Sequence, residues 1–179
     1  MNKIALNIFT VMLILMTTSY AFALPLSLSK DLPEANSLTK HGEGVLRFFG
    51  LKVYDIRLWT NAKPHSHDAL FAVELVYDLG LKGTEIAKRS ITEMRELGYK
   101  DEAKLGKWLE AMNKAFPDVK KNDSLIGVSI PNKGARFYSQ DKFIAEIADP
   151  EFARAFFDIW LSPKTSEPKL RARLLNEAK

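Results

Sequence analysis

Between Leu70 and Ile147 the apolar residues change their spacing twice, and this double switch narrows the folds open to the chain. The stretch LFAVELVYD alternates, with Phe71, Val73, Leu75 and Tyr77 on one face and Glu74 and Asp78 on the other, as a half-buried strand does. From Gly83 to Leu97 the spacing becomes helical: Ile86, Ile91, Met94 and Leu97 share one side, with Thr84 as the expected cap. Residues 101–116 repeat that pattern more strongly, with Leu105, Trp108, Leu109, Met112 and Phe116 in one stripe, Asp101 as N-cap and Pro117 as stop. Period 2 then returns over residues 125–130, 135–139 and 142–147, separated by Pro131-Asn132-Lys133-Gly134 and Gln140-Asp141. These spacers are turn chemistry, so the pattern predicts a three-strand antiparallel meander.

The flanks extend the reading. GEGVLRFFGLKVYDIRLWT, residues 42–60, is rich in aromatic and β-branched residues and reads as extended structure, with Gly50 a bend or bulge between two strand pieces. Its second piece places Tyr54, Ile56 and Leu58 on one face and Val53, Asp55, Arg57 and Trp59 on the other. After the meander, Asp149-Pro150 caps a helix striped by Phe152, Phe156, Ile159 and Trp160. Pro163 ends that helix, and Pro168 opens a last one carrying Leu170, Leu174 and Leu175. Runs of strands and runs of helices, rather than strict alternation, predict an α+β fold with a mostly antiparallel sheet.

The first residues are of another kind. Lys3 is followed by a run over residues 4–16 that is apolar except for Asn7 and Thr10, then by Ala21-Phe22-Ala23. This is the pattern of a secretory signal peptide cut after Ala23, with Ala21 as a second possible site. An uncleaved anchor is the alternative reading, but the run is short of the roughly 20 residues that span a bilayer. No other stretch is long and apolar enough to cross, and with no cysteine there is no lipoprotein anchor. Residues 24–179 are then expected to form a single domain. An exported domain without disulfides must be stabilised by its core, which favours a periplasmic or secreted protein of bacterial type. The chain holds 26 basic and 22 acidic residues, interspersed rather than clustered, so no nucleic-acid footprint is expected.

Motifs for chemistry are sparse. His65-Ser66-His67 has the residue type of a metal site but no HExxH or cysteine partners, and a polar loop near a proline is the simpler account. There is no GxSxG elbow, and Gly42-Glu43-Gly44 lacks the strand before and the helix after that a phosphate loop needs. No metal, cofactor or catalytic residue is expected. More informative are arginines within apolar strands: Arg47 in VLRFF, Arg57 in DIRLW and Arg136 in GARFY. A guanidinium in a half-buried sheet needs an anionic or planar partner. That partner is either a neighbouring acid such as Asp55 or Glu74, or the anionic end of a ligand in an apolar cavity.

FFGLKVYDIRLW, the DSLIGVSIPNKG hairpin and FARAFFDIWLSPKTSEPKLRARLL, in that order, resemble the chalcone isomerase-like superfamily, and in particular its signal-peptide-bearing bacterial branch. The resemblance spans roughly residues 42–175. It implies an open-faced β-sandwich, a large antiparallel sheet with helices layered on one face and a cleft between them. The family's enzymes close a ring using an arginine, two threonines, a tyrosine and an asparagine. Carried over residue by residue, the strand threonine falls on Phe49 and the tyrosine and asparagine near Ile86 and Glu93. The arginine falls on Leu46, with the adjacent Arg47 as a substitute after a one-residue shift. Only the late threonine, Thr165 of Ser162-Pro163-Lys164-Thr165, is retained, and it could equally be a turn or cap residue.

A phenylalanine or an isoleucine cannot hydrogen-bond a ketone, and losing one preorganised polar contact commonly costs roughly 10²–10³ in rate. The resemblance therefore implies a non-catalytic protein, like the family's fatty-acid-binding members, that holds a small apolar or amphipathic ligand. Arg47 or Arg57 would meet the ligand's anionic end, and Phe49 and Thr165 would complete the site. An isomerase or lyase with a rewired cleft, and a structural or partner-binding module, are the alternatives. The first would show a strongly shifted titratable group in the cleft, the second a large apolar patch outside it. Oligomeric state is left open.

Overall fold

The computed structural model describes residues 30–63, 65–140 and 142–177. The expected leader and Asp141 lie outside the described residues. Six strands form one sheet in chain order: β1 (Lys40–Phe48), β2 (Leu51–Thr60), β3 (Phe71–Tyr77), β4 (Ser124–Ile130), β5 (Gly134–Ser139) and β6 (Lys142–Ile147). Every neighbouring pair is antiparallel. Helices α1 (Gly83–Leu97) and α2 (Glu102–Ala115) connect β3 to β4, while α3 (Pro150–Leu161) and α4 (Pro168–Leu174) follow β6. This is the open antiparallel sheet with a helical layer expected from the sequence.

Alternation decides which face the helices cover. Tyr54, Ile56, Leu58, Phe71, Val73, Leu75 and Tyr77 all point into the main core, so the even residues of β2 meet the odd residues of β3, as their register requires. Above them lies α3, whose aromatic stripe meets the sheet edge to face: Phe156 on Phe137 at 5.2 Å and Phe157 on Phe71 at 4.9 Å between ring centroids. The sheet makes room with Gly127, where an added Cβ would stand 3.1 Å from the Phe157 ring. Asp149 starts this helix by accepting hydrogen bonds from the backbone N–H groups of Glu151 and Phe152, and it also accepts from Trp108 Nε1 at 2.8 Å. That last bond ties α2 to α3.

Two details differ from the sequence reading, and a third is not part of it. Residues 42–60 form a tight hairpin rather than a bent strand, because both Phe49 (φ 46°) and Gly50 (φ 82°) take positive φ and reverse the chain. Thr84 does not cap α1. Instead Asp118, 35 residues away, accepts from the Gly83 N–H at 3.0 Å and pairs with Lys82. The polar lead-in before β1 is anchored on the sheet's other face, where Leu32, Ala35 and Leu38 cover Trp59, Ala72, Ile126, Val128 and Tyr138.

Gly42 and Gly44 have a packing role. A Cβ on Gly44 would lie 2.3 Å from Leu170 Cδ1, and one on Gly42 would lie 2.2 Å from the Leu174 carbonyl oxygen. Only hydrogen at these two places lets α4 lie directly on β1.

Candidate functional site

Where the β1–β2 hairpin runs past the end of α1, sheet and helices separate and leave a cavity of about 370 Å3. Leu46, Val53, Leu75 and Leu125 form its sheet wall, and Ile86, Phe156, Ile159 and Trp160 its helical wall. A register shift between Leu46 and Arg47 shapes this end. The shift is a bulge, which re-aims the side chains that follow it, and Arg47, Phe48 and Leu51 all reach the cavity lining.

Few polar groups interrupt the apolar walls. Tyr54 OH accepts a hydrogen bond from Trp160 Nε1 at 3.0 Å, and both residues are buried. Burial pushes the Tyr54 and Tyr77 phenols well above the ordinary tyrosine value. Both remain neutral at physiological pH, and the Tyr54 hydroxyl keeps a proton to donate. Glu93, 6% exposed, is held by an ion pair with Arg89 and accepts from Ser166 Oγ at 2.9 Å. Ser90 donates back to the Ile86 carbonyl at 2.9 Å. Each serine at the cavity thus has its hydroxyl committed, and neither adjoins a histidine. At the rim Arg47 is exposed and donates through Nη1 to the Gly50 carbonyl at 3.3 Å.

The residues singled out in the sequence separate in space. Arg47 lines the cavity. Phe49, two residues on, is 93% exposed at the hairpin tip and outside the lining. Arg57 sits on the opposite face of the sheet, where it and Trp59 Nε1 both donate to Glu74, at 3.3 and 3.2 Å. The strand parity that buries Ile56 and Leu58 beneath the helices sends Arg57 to the other side. Thr165 is buried behind the wall; its Oγ1 donates to the Ile159 carbonyl at 2.6 Å and accepts from the Glu167 N–H at 3.2 Å. It closes the end of α3 and turns the chain toward α4. Arg136 pairs with Glu146 across β5 and β6.

Of the positions carried over from the enzymes, Leu46, Ile86 and Glu93 do line the cavity. Sequence reasoning missed the Arg89–Glu93–Ser166 cluster and the Tyr54–Trp160 pair. The first left a readable trace: Ser90 and Glu93 stand at i+4 and i+7 from Ile86, inside the apolar stripe of α1.

His65 and His67 lie apart from the cavity lining. His65 packs edge-on against Phe71 at 4.6 Å, and His67 Nε2 contacts Asp158 Oδ1 at 2.9 Å. Among the described residues no group of three or more metal-ligating side chains is placed to hold an ion.

An uncharacterized protein of Haemophilus influenzae is 29% identical over 128 residues, covering 71% of this chain. The chain spans 62% of that relative's length. In solved structures the fold is shared with the fatty-acid binding protein of Arabidopsis thaliana, at a TM-score of 0.60 and 12% identity, over 79% of this chain and 88% of that one. Residues 29–176 match a family model described as chalcone isomerase-like, and with the sheet, helical layer and cleft in place, the chain belongs to that family.

Proposed function

We propose that the protein is a non-catalytic binder of a small apolar or amphipathic ligand, with a fatty acid the best-fitting class, and that it works in the periplasm or outside the cell. The observation that carries this reading is the cavity itself. Its volume of about 370 Å3 falls in the roughly 300–1,000 Å3 range of small-molecule sites, and its few polar groups are of the orienting kind. An acyl chain would lie between Leu75, Ile86 and Ile159, while its acid end meets Arg47 at the rim. The fold it shares with a fatty-acid binding protein of Arabidopsis supports the same ligand class. The export part rests on the leader pattern of residues 1–23.

Strongly shifted groups in the cleft are what a rewired isomerase would show, and Tyr54 and Tyr77 carry such shifts, so the binding reading rests on the cavity and not on them. The shifts run upward, which makes the phenols donors and not bases. Native mass spectrometry of protein purified from its own host is expected to find a copurifying lipid. Titration with a fluorescent fatty acid is expected to saturate at one site, with Arg47→Ala weakening it about five- to tenfold, the worth of one charge-assisted contact near solvent. No bound lipid and no saturable binding would end the proposal.

A further inference from the structure

Four large apolar side chains are exposed among the described residues, and three of them, Phe48 (59%), Phe49 (93%) and Leu51 (69%), crowd one two-residue hairpin loop. The fourth, Phe143, is on β6 at the opposite edge of the sheet. The loop also breaks a backbone rule. Positive φ at both loop positions is the pattern that favours Asn-Gly, and a phenylalanine at φ 46° is strained. Packing compensates little among the described residues, since Phe49 is 93% exposed and its ring partner is its own neighbour Phe48, at 4.6 Å. Strain kept at an exposed aromatic, with little packing in return, points to work done outside the fold.

The surroundings indicate what that work is. Phe48 and Leu51 belong at once to the exposed tip and to the cavity lining, so whatever covers the tip also covers the cavity mouth. Beside them stands Arg47, which is exposed and whose guanidinium bonds the Gly50 carbonyl among the described residues. A cation next to a tip of two phenylalanines and a leucine is the pairing that suits an anionic lipid surface: aromatic and aliphatic groups enter the acyl boundary and the cation stays among the headgroups.

We propose that the Phe48–Leu51 hairpin tip docks on an anionic phospholipid bilayer and seats the mouth of the cavity against it. Docking stands by itself; the use of that contact to load or unload the cavity rests on the fatty-acid reading above. On this view the ligand passes over Phe48 and Leu51 without crossing water.

The test uses the full chain and vesicles of phosphatidylcholine with or without phosphatidylglycerol. Wild type is expected to float with the anionic vesicles. Phe49→Asn should lower its partition roughly tenfold or more, the equivalent of withdrawing one buried aromatic side chain. The same change should raise the melting temperature by about 3 °C, because asparagine relaxes the turn, so lost binding cannot be put down to misfolding. Arg47→Gln should weaken binding to anionic vesicles only, and most at low salt. A Phe49→Trp variant should be quenched by brominated lipid.

Wild type that stays in solution, or Phe49→Asn that floats unchanged, overturns the proposal. So does a sedimentation experiment in which the tip governs only a monomer–dimer equilibrium, since a second copy would then be its occupant. Octanoate titration without vesicles separates the two ideas. Its failure in wild type with vesicle binding intact ends the fatty-acid reading alone, and intact octanoate binding without vesicle binding ends the docking alone.

Discussion

Replacing Thr165 by valine separates a structural threonine from a ligand-binding one. Valine keeps the shape and removes the hydroxyl. The Ile159 carbonyl, which lies in the last turn of α3 and is among the acceptors a helix leaves unpaired at its end, would lose its 2.6 Å partner. The Glu167 N–H would lose its acceptor as well. Thr165 is only 7% exposed, so water cannot simply take over. An unsatisfied buried acceptor costs about 1–3 kcal/mol, and with the second bond the expected loss is about 2–3 kcal/mol. For a domain of this size that corresponds to a melting temperature lower by roughly 5–10 °C, or a urea midpoint lower by about 1 M. Thr165→Ser should recover most of it. Fatty-acid affinity, measured well below the transition, should be unchanged in both variants. An unaltered urea midpoint together with lost affinity would refute the reasoning and return Thr165 to the binding site.

Two further outcomes follow from the packing. Gly44→Val should cost about 2–3 kcal/mol or detach α4, since its first added carbon already falls 2.3 Å from Leu170; protection of residues 168–174 from proteolysis would report it, and wild-type protection would count against the glycine contact. His65 should make stability depend on pH. Burial, with His67 second, pushes its pKa from 6.5 down to about 4, and neither ring nitrogen has a hydrogen-bond partner among the described residues. The folded pKa is the lower one, so the contribution is full above pH 6.5 and is lost as the pH falls toward 4. After discounting for solvent the loss is about 1–2 kcal/mol. Urea midpoints from pH 7.5 to 4.5 should flatten in His65→Leu, and an unchanged slope there would exclude this histidine as the source.

The layers of this fold were legible because they rest on local periodicity. Alternation placed Phe71, Val73, Leu75 and Tyr77 on one face, and the aromatic stripe of Phe152 and Phe156 announced the helix that covers them. The hairpin was harder, since Phe49-Gly50 carries none of the polar turn chemistry by which loops are read. Caps and site contacts are tertiary facts: Asp118 reaches Gly83 from 35 residues away, and Trp160 meets Tyr54 across 106. Arg47 and Arg57 looked equivalent in sequence, each a cation in an apolar run. A parity count already put Arg57 opposite Tyr54 and Ile56, whereas Arg47 stands where the register shifts around the extra β2 residue, Val53.

The bare strip of Gly42 and Gly44 bears on how the chain assembles. Each strand of the sheet pairs with the strand before it in sequence, so the sheet can zip from neighbour to neighbour at modest loop-closure cost. Joining α4 to β1 is different, because it brings Leu170 and Leu174 back onto the first strand and cannot happen until every other helix and strand of the described residues has been made. Those two glycines therefore work as the catch of a clasp. A nascent chain can hold a formed sheet with its first edge still open, and the molecule locks only when the C-terminal leucines arrive.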